Sequence, residues 1–81
     1  SLAKDRNGIP VVIELNVSKG HKTGIGPAFS SQECIKDKLG VPRVRTIIVA
    51  RKISHELRVA LRAVTDVELF EYRLSMTLTK I

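Results

Sequence analysis

Cysteine, aromatic rings and acidic groups are all scarce in this chain of 81 residues. A single cysteine, Cys34, excludes an internal disulfide and suits a reducing, cytoplasmic compartment. Aromatics make up 4% of the chain and tryptophan is absent, so few rings are available for stacking on nucleic-acid bases. No apolar run approaches the roughly 18 residues needed to cross a bilayer, and no signal peptide is visible, so no membrane role is expected. The chain opens on Ser1 without an initiator methionine, as a processed or truncated chain does. A chain this short buries only roughly 60–65% of its unfolded surface, which leaves a thin margin of stability.

Base is what the sequence has in excess. Fourteen Lys and Arg face eight Asp and Glu, a net charge of +6. The excess is spread over Lys19, Lys22, Arg43, Arg45, Arg51, Lys52, Arg58 and Arg62. Such a surface favours polyanions, nucleic acid first, because each neutralised phosphate releases counterions. The bland alternative is a basic protein kept soluble by its charge. At 43% hydrophobic and 27% charged, the composition is that of a globular domain rather than a disordered segment.

The pattern along the chain predicts ββαβαβ in one domain, residues 1–81. A short strand over 1–6 meets Asn7-Gly8, which favours positive φ at both central turn positions, and a second strand returns over 10–17. The basic, glycine-rich stretch 18–26, with His21 as a solvated residue, reads as a loop. Pro27 suits the first turn of a helix that ends at Leu39, with Gly40 as its stop and Ala28, Gln32, Ile35 and Leu39 on one face. Ile47-Ile48-Val49 then reads as a central strand covered on both sides. Ser54 caps a second helix with Leu57, Ala60, Leu61 and Val64 inward, and His55 on the surface. A long final strand over 67–78 is expected at a sheet edge, with a bulge near Leu69-Phe70 where its apolar phase changes. Together these give a small α/β fold: a mixed sheet of about four strands with both helices packed on it.

Within the second strand one acid interrupts an apolar row. Val11, Ile13, Leu15 and Val17 alternate with Val12, Glu14 and Asn16, so the two sets occupy opposite faces. A carboxylate on a half-buried strand costs free energy unless a partner, a metal or water compensates it. Glu14 is therefore the first candidate for chemistry. It is either a metal ligand or a strand glutamate open to water.

Asp5-Arg-Asn-Gly8, Val11-Val-Ile-Glu-Leu-Asn16, Gln32 on the helix and Val44-Arg-Thr-Ile-Ile-Val-Ala50 resemble motifs of the PD-(D/E)xK nuclease superfamily. The resemblance is to its RecB-like, archaeal NucS-like branch, and it implies a restriction-endonuclease-like core. It also implies a metal-dependent phosphodiester hydrolase acting on DNA, with Glu14 holding Mg²⁺ or Mn²⁺ and Gln32 and Asn16 at the catalytic site. In that chemistry the ion polarises the scissile phosphate and lowers the pKa of the attacking water, and oxygen ligands suit Mg²⁺ or Mn²⁺ better than zinc.

Two positions depart from the family pattern. The family's first Asp falls just ahead of Ser1, and Asn16 stands where the pattern has lysine. In this superfamily a helical lysine can replace the strand lysine, which makes Lys36 a catalytic candidate. Its alternative is a surface pair with Glu33 or Asp37. Lys19, Lys22, Arg43 and Arg45 are the candidate DNA contacts. These departures leave three readings: an active nuclease domain, a silent nuclease-fold module that binds DNA or a protein, and a homodimer joined through the C-terminal strand.

Overall fold

A computed structural model describes the backbone of residues 1–20 and 25–81 and the side chains of 1–15 and 30–81. Six elements follow in the expected order: β1 (Leu2–Lys4), β2 (Pro10–Gly20), α1 (Ile25–Leu39), β3 (Arg45–Ile53), α2 (His55–Leu61) and β4 (Val67–Glu71). They form one four-stranded sheet in the order β1-β2-β3-β4. The hairpin β1–β2 is antiparallel, whereas β2–β3 and β3–β4 are parallel. Each parallel pair needs a crossover, and each crossover carries a helix. Crossovers of one hand that step in one direction across a sheet leave both helices on the same face, and α1 and α2 do touch.

Register decides which side chains that face holds. Glu14 lies beside Ile48, Val12 beside Thr46, and Leu69 on the far side of Ile48. Ile48, Ala50 and Ile53 pack with Leu57 and Leu61 of α2, and Val64, Val67 and Leu69 border that core. Glu14 therefore belongs to the helix-covered face, and the apolar row Ile13, Leu15, Ile47, Val49 and Phe70 to the other. Leu15 is 67% exposed and Phe70 50%.

Local chemistry fixes the ends of the elements. Asp5 organises the hairpin turn: its Oδ1 accepts from the N–H groups of Asn7 and Ile9, and its carbonyl from Gly8. Gly8 takes φ 79° and Gly40 φ 61°, a left-handed conformation costly to most side chains. Gly40 thus ends α1 as the sequence predicts. Ser54 Oγ accepts from Leu57 N at 3.2 Å and caps α2.

Several expectations need correction. Asn7 does not share the positive φ of Gly8, because the Asp5 carboxylate closes the turn instead. β2 runs on to Gly20, so Ser18–Gly20 is strand rather than loop, and His21 and Lys22 lie outside the described residues. The register shift falls between Asn16 and Lys19, and β3–β4 runs without a bulge. The apolar phase of β4 changes because Val67 and Leu69 serve the helix face while Phe70 serves the open one. β4 itself ends at Glu71, where the Glu71 carboxylate takes the Ile53 N–H and occupies the edge a longer strand would use. β3 is covered on one face only, with Ile47 and Val49 half-buried. Leu39, expected inward, is 49% exposed.

Two substitutions at the core should move stability in opposite directions. Leu57→Ala should cost about 2–5 kcal/mol, since it opens a cavity under α2. Thr46→Val should leave stability unchanged or raise it by about 1 kcal/mol, because the Thr46 hydroxyl is buried without a hydrogen-bond partner. Urea unfolding midpoints of the two variants would read both effects.

Candidate nucleic-acid and metal site

The sheet brings together some of the expected site residues and separates others. Glu14 sits half-buried near the middle of β2, on the covered face. The Asn16 backbone is in register with Ala50, and its side chain lies outside those described. Gln32 is 3% exposed, and its amide nitrogen donates to the carbonyls of Thr65 and Asp66, each at 3.1 Å. Thr46 N donates to the same Asp66 carbonyl. Gln32 is thereby anchored level with the start of β3. Glu14, beside Ile48, stands roughly 7 Å further along the strands.

Lys36 and Gln32 border a shared hollow of about 340 Å³, with Glu33, Pro42, Thr65 and Asp66 among its other walls. Lys36 Nζ pairs there with Glu33 Oε1 at 3.2 Å, as its surface alternative requires. Glu14 is not among the hollow's lining residues. No group of three or more His, Cys, Asp or Glu able to hold a metal occurs among the described residues. Glu14 alone, a single carboxylate, does not make a divalent-cation site.

The hairpin register sets which positions stand opposite β2. Leu2 pairs with Val12 and Ala3 with Val11, while Ser1 and Ile13 exchange backbone hydrogen bonds of 3.0 and 2.8 Å. One step further, a residue joined ahead of Ser1 would face Glu14. That would be a non-hydrogen-bonded pair, the kind with the closer side chains. Asp5, the nearest acid in sequence, is committed to the turn and to Arg45 Nη1 at 3.1 Å.

Two of the four expected DNA contacts are engaged within the fold. Arg43 grips Asp66 through two nitrogens, at 2.8 and 3.1 Å, and Arg45 bridges Asp5 and Glu68. Lys19 contributes backbone to β2 opposite Lys52. Arg51 and Lys52 are exposed at the far end of β3.

A solved structure, EndoMS in its apo form, matches this arrangement with a TM-score of 0.76 at 22% identity. The fold is thus a small mixed α/β core like that of the matching part of EndoMS. The match takes in 90% of this chain but 33% of the EndoMS chain, so the present chain spans about a third of that protein. No family model matches the chain, and no curated protein matches it. Among the described residues no helix is long and apolar enough to cross a membrane.

Three structural residues were not singled out as such from sequence: Asp66, Glu71 and Arg45. Asp66 holds φ 63°, which an aspartate tolerates better than most residues. Hydrogen bonds from Arg43 hold its carboxyl below the usual 3.8. The Ile9 N–H, with help from Arg45 and the Asn7 N–H, does the same for Asp5, and the Ile53 N–H with Arg58 lowers Glu71 from 4.5. The only advance signal was Thr65-Asp66 directly ahead of a strand, a turn-like pair.

A carboxyl whose pKa is lower in the folded state contributes stability above its unfolded pKa and loses it as pH falls through the folded one. Stability should therefore decline progressively as pH drops below about 4.5, the higher of the two ordinary values. Asp66→Asn should make that decline shallower, and the urea midpoint measured against pH for the two proteins would show it.

Proposed function

We propose that this chain is a nuclease-fold DNA-binding module, and that it hydrolyses phosphodiesters only when a second carboxylate faces Glu14. The hairpin register is the observation that carries this reading. It directs the position ahead of Ser1 toward Glu14 on the covered face, where the resemblance to the PD-(D/E)xK superfamily expects an aspartate. Among the described residues the donor set at Glu14 is one carboxylate, and an asparagine at 16 brings no charge.

Glu14 is the residue we assign to Mg²⁺ or Mn²⁺, with the facing carboxylate as its companion. When bound, the ion would supply Lewis acidity at the phosphate. Asn16 is suited to hydrogen-bond a water through its side-chain amide. Gln32 positions the helix through the 65–66 carbonyls, and Lys36 contributes positive charge near it. The fold likeness to EndoMS supports a nuclease-like core, and the net charge of +6 supports a polyanionic partner. DNA contacts are assigned to Lys19 and Lys22 together with Arg51 and Lys52, since Arg43 and Arg45 are taken up by acids.

Mobility-shift titration of duplex DNA should give binding whose log affinity falls linearly with log salt. Reversing Arg51 and Lys52 to Glu together should weaken it by at least about tenfold, because two phosphate contacts are lost. Absence of binding at low salt would sink the DNA assignment. For the metal, calorimetry with Mn²⁺ should show binding once an Asp is joined ahead of Ser1. That binding should vanish in the same chain carrying Glu14→Ala. Equal Mn²⁺ binding with and without Glu14 would place the ion elsewhere.

A further inference from the structure

Beyond Glu71 the chain carries a strand pattern that pairs with no strand among the described residues. Tyr72, Leu74, Met76 and Leu78 alternate with Arg73, Ser75, Thr77 and Thr79. The last sheet bond is Tyr72 N to Ala50 O at 3.0 Å. Leu74 and Met76 are each 82% exposed and Leu78 is 84% exposed. This row continues the open sheet face through Phe70. β4 is also the outer strand of the sheet, with one edge unpaired. A bare edge running into an exposed apolar row is a template for another strand.

We propose that this edge is an interface with a second copy of the chain, in which residues 67–81 of the two copies pair antiparallel about a two-fold axis at Leu74. Backbone direction permits it. Asp66 O and Tyr72 N both face β3, so by alternation Val67, Leu69 and Glu71 turn their N–H and C=O groups to the free side. An antiparallel pair centred on Leu74 matches those odd-numbered residues with odd-numbered residues of the partner and keeps each apolar row on one face.

Side-chain chemistry favours this register. Leu74 meets the partner's Leu74, Tyr72 the partner's Met76, and Phe70 the partner's Leu78. These are aromatic and aliphatic cross-strand pairs of the kind that stabilise a ladder. Glu68 meets the partner's Lys80, an opposite-charge pair, while Arg73 meets the partner's Ser75. No two like charges stand opposite each other. The arrangement is isologous, so it closes at two copies, and it removes the bare β4 edge from solvent. It stands apart from the nuclease reading, since neither Glu14 nor any metal takes part.

Light scattering on the 81-residue chain should return twice its mass of 9.0 kDa. Leu74→Asp, which sets two carboxylates against each other on the axis, should return the single mass with the helical circular dichroism signal retained. In a Cys34→Ser background, Leu74→Cys should oxidise to a disulfide-linked pair. Its site is a non-hydrogen-bonded position where the two Cα atoms lie within disulfide reach. Arg73→Cys should not, because it faces the partner's Ser75. A monomeric parent chain, a dimer indifferent to Leu74→Asp, or equal crosslinking at 73 and 74 would each overturn the proposal.

Discussion

Gln32 ties the long helix to the sheet by one carboxamide. Among the helix residues whose side chains are described, Ile35 is half-buried and Leu39 largely exposed. The Gln32 side chain adds a polar hold, an amide nitrogen buried against two carbonyls just ahead of β4. Those carbonyls belong to a left-handed turn at Asp66, and one of them also receives the first N–H of the β3 ladder. Helix, turn and central strand therefore share one acceptor. An unmade hydrogen bond in so enclosed a place is expensive, so the group enforces the relative placement of three elements more than it adds net stability.

Charge plays a similar organising part at the same end of the molecule. Arg43 and Arg45 draw Asp66, Asp5 and Glu68 together, which joins the hairpin turn, the head of β3 and the head of β4. Ion pairs this exposed contribute little each. Their larger effect is on the distribution of charge. Acids are consumed at the end where the strands begin, so the net positive charge weighs toward the opposite end, where Arg51 and Lys52 stand exposed.

Much of the architecture was legible because it rests on local signals. Gly40 as helix stop, Ser54 as cap, and the order ββαβαβ all follow from residue chemistry within a few positions. What escaped were the long-range pairings. Gln32 reads as a site residue because a buried amide on a helix could serve either chemistry or packing, and only the fold reveals that its nitrogen is taken. Arg43 and Arg45 read as phosphate ligands from sequence, and the fold adds their pairing with Asp66, Asp5 and Glu68 from elsewhere in the chain. The last strand looks long because its alternation persists to Leu78, whereas its pairing with β3 stops at Ala50, beyond which the Glu71 carboxylate takes the Ile53 N–H. For Glu14 the sequence showed an acid among aliphatic residues, and the sheet added which face it occupies.

The tight turn at Asp5–Ile9 acts as a ruler for the site. Its hydrogen bonds fix the hairpin register, and side chains on a strand change face at every residue. Adding or deleting a single amino acid there would rotate the whole of β1 and carry whatever faces Glu14 to the opposite side of the sheet. Mutational drift in the side chains of Arg6 and Asn7 would thus be harmless to that alignment, while a change in loop length would erase it in one event.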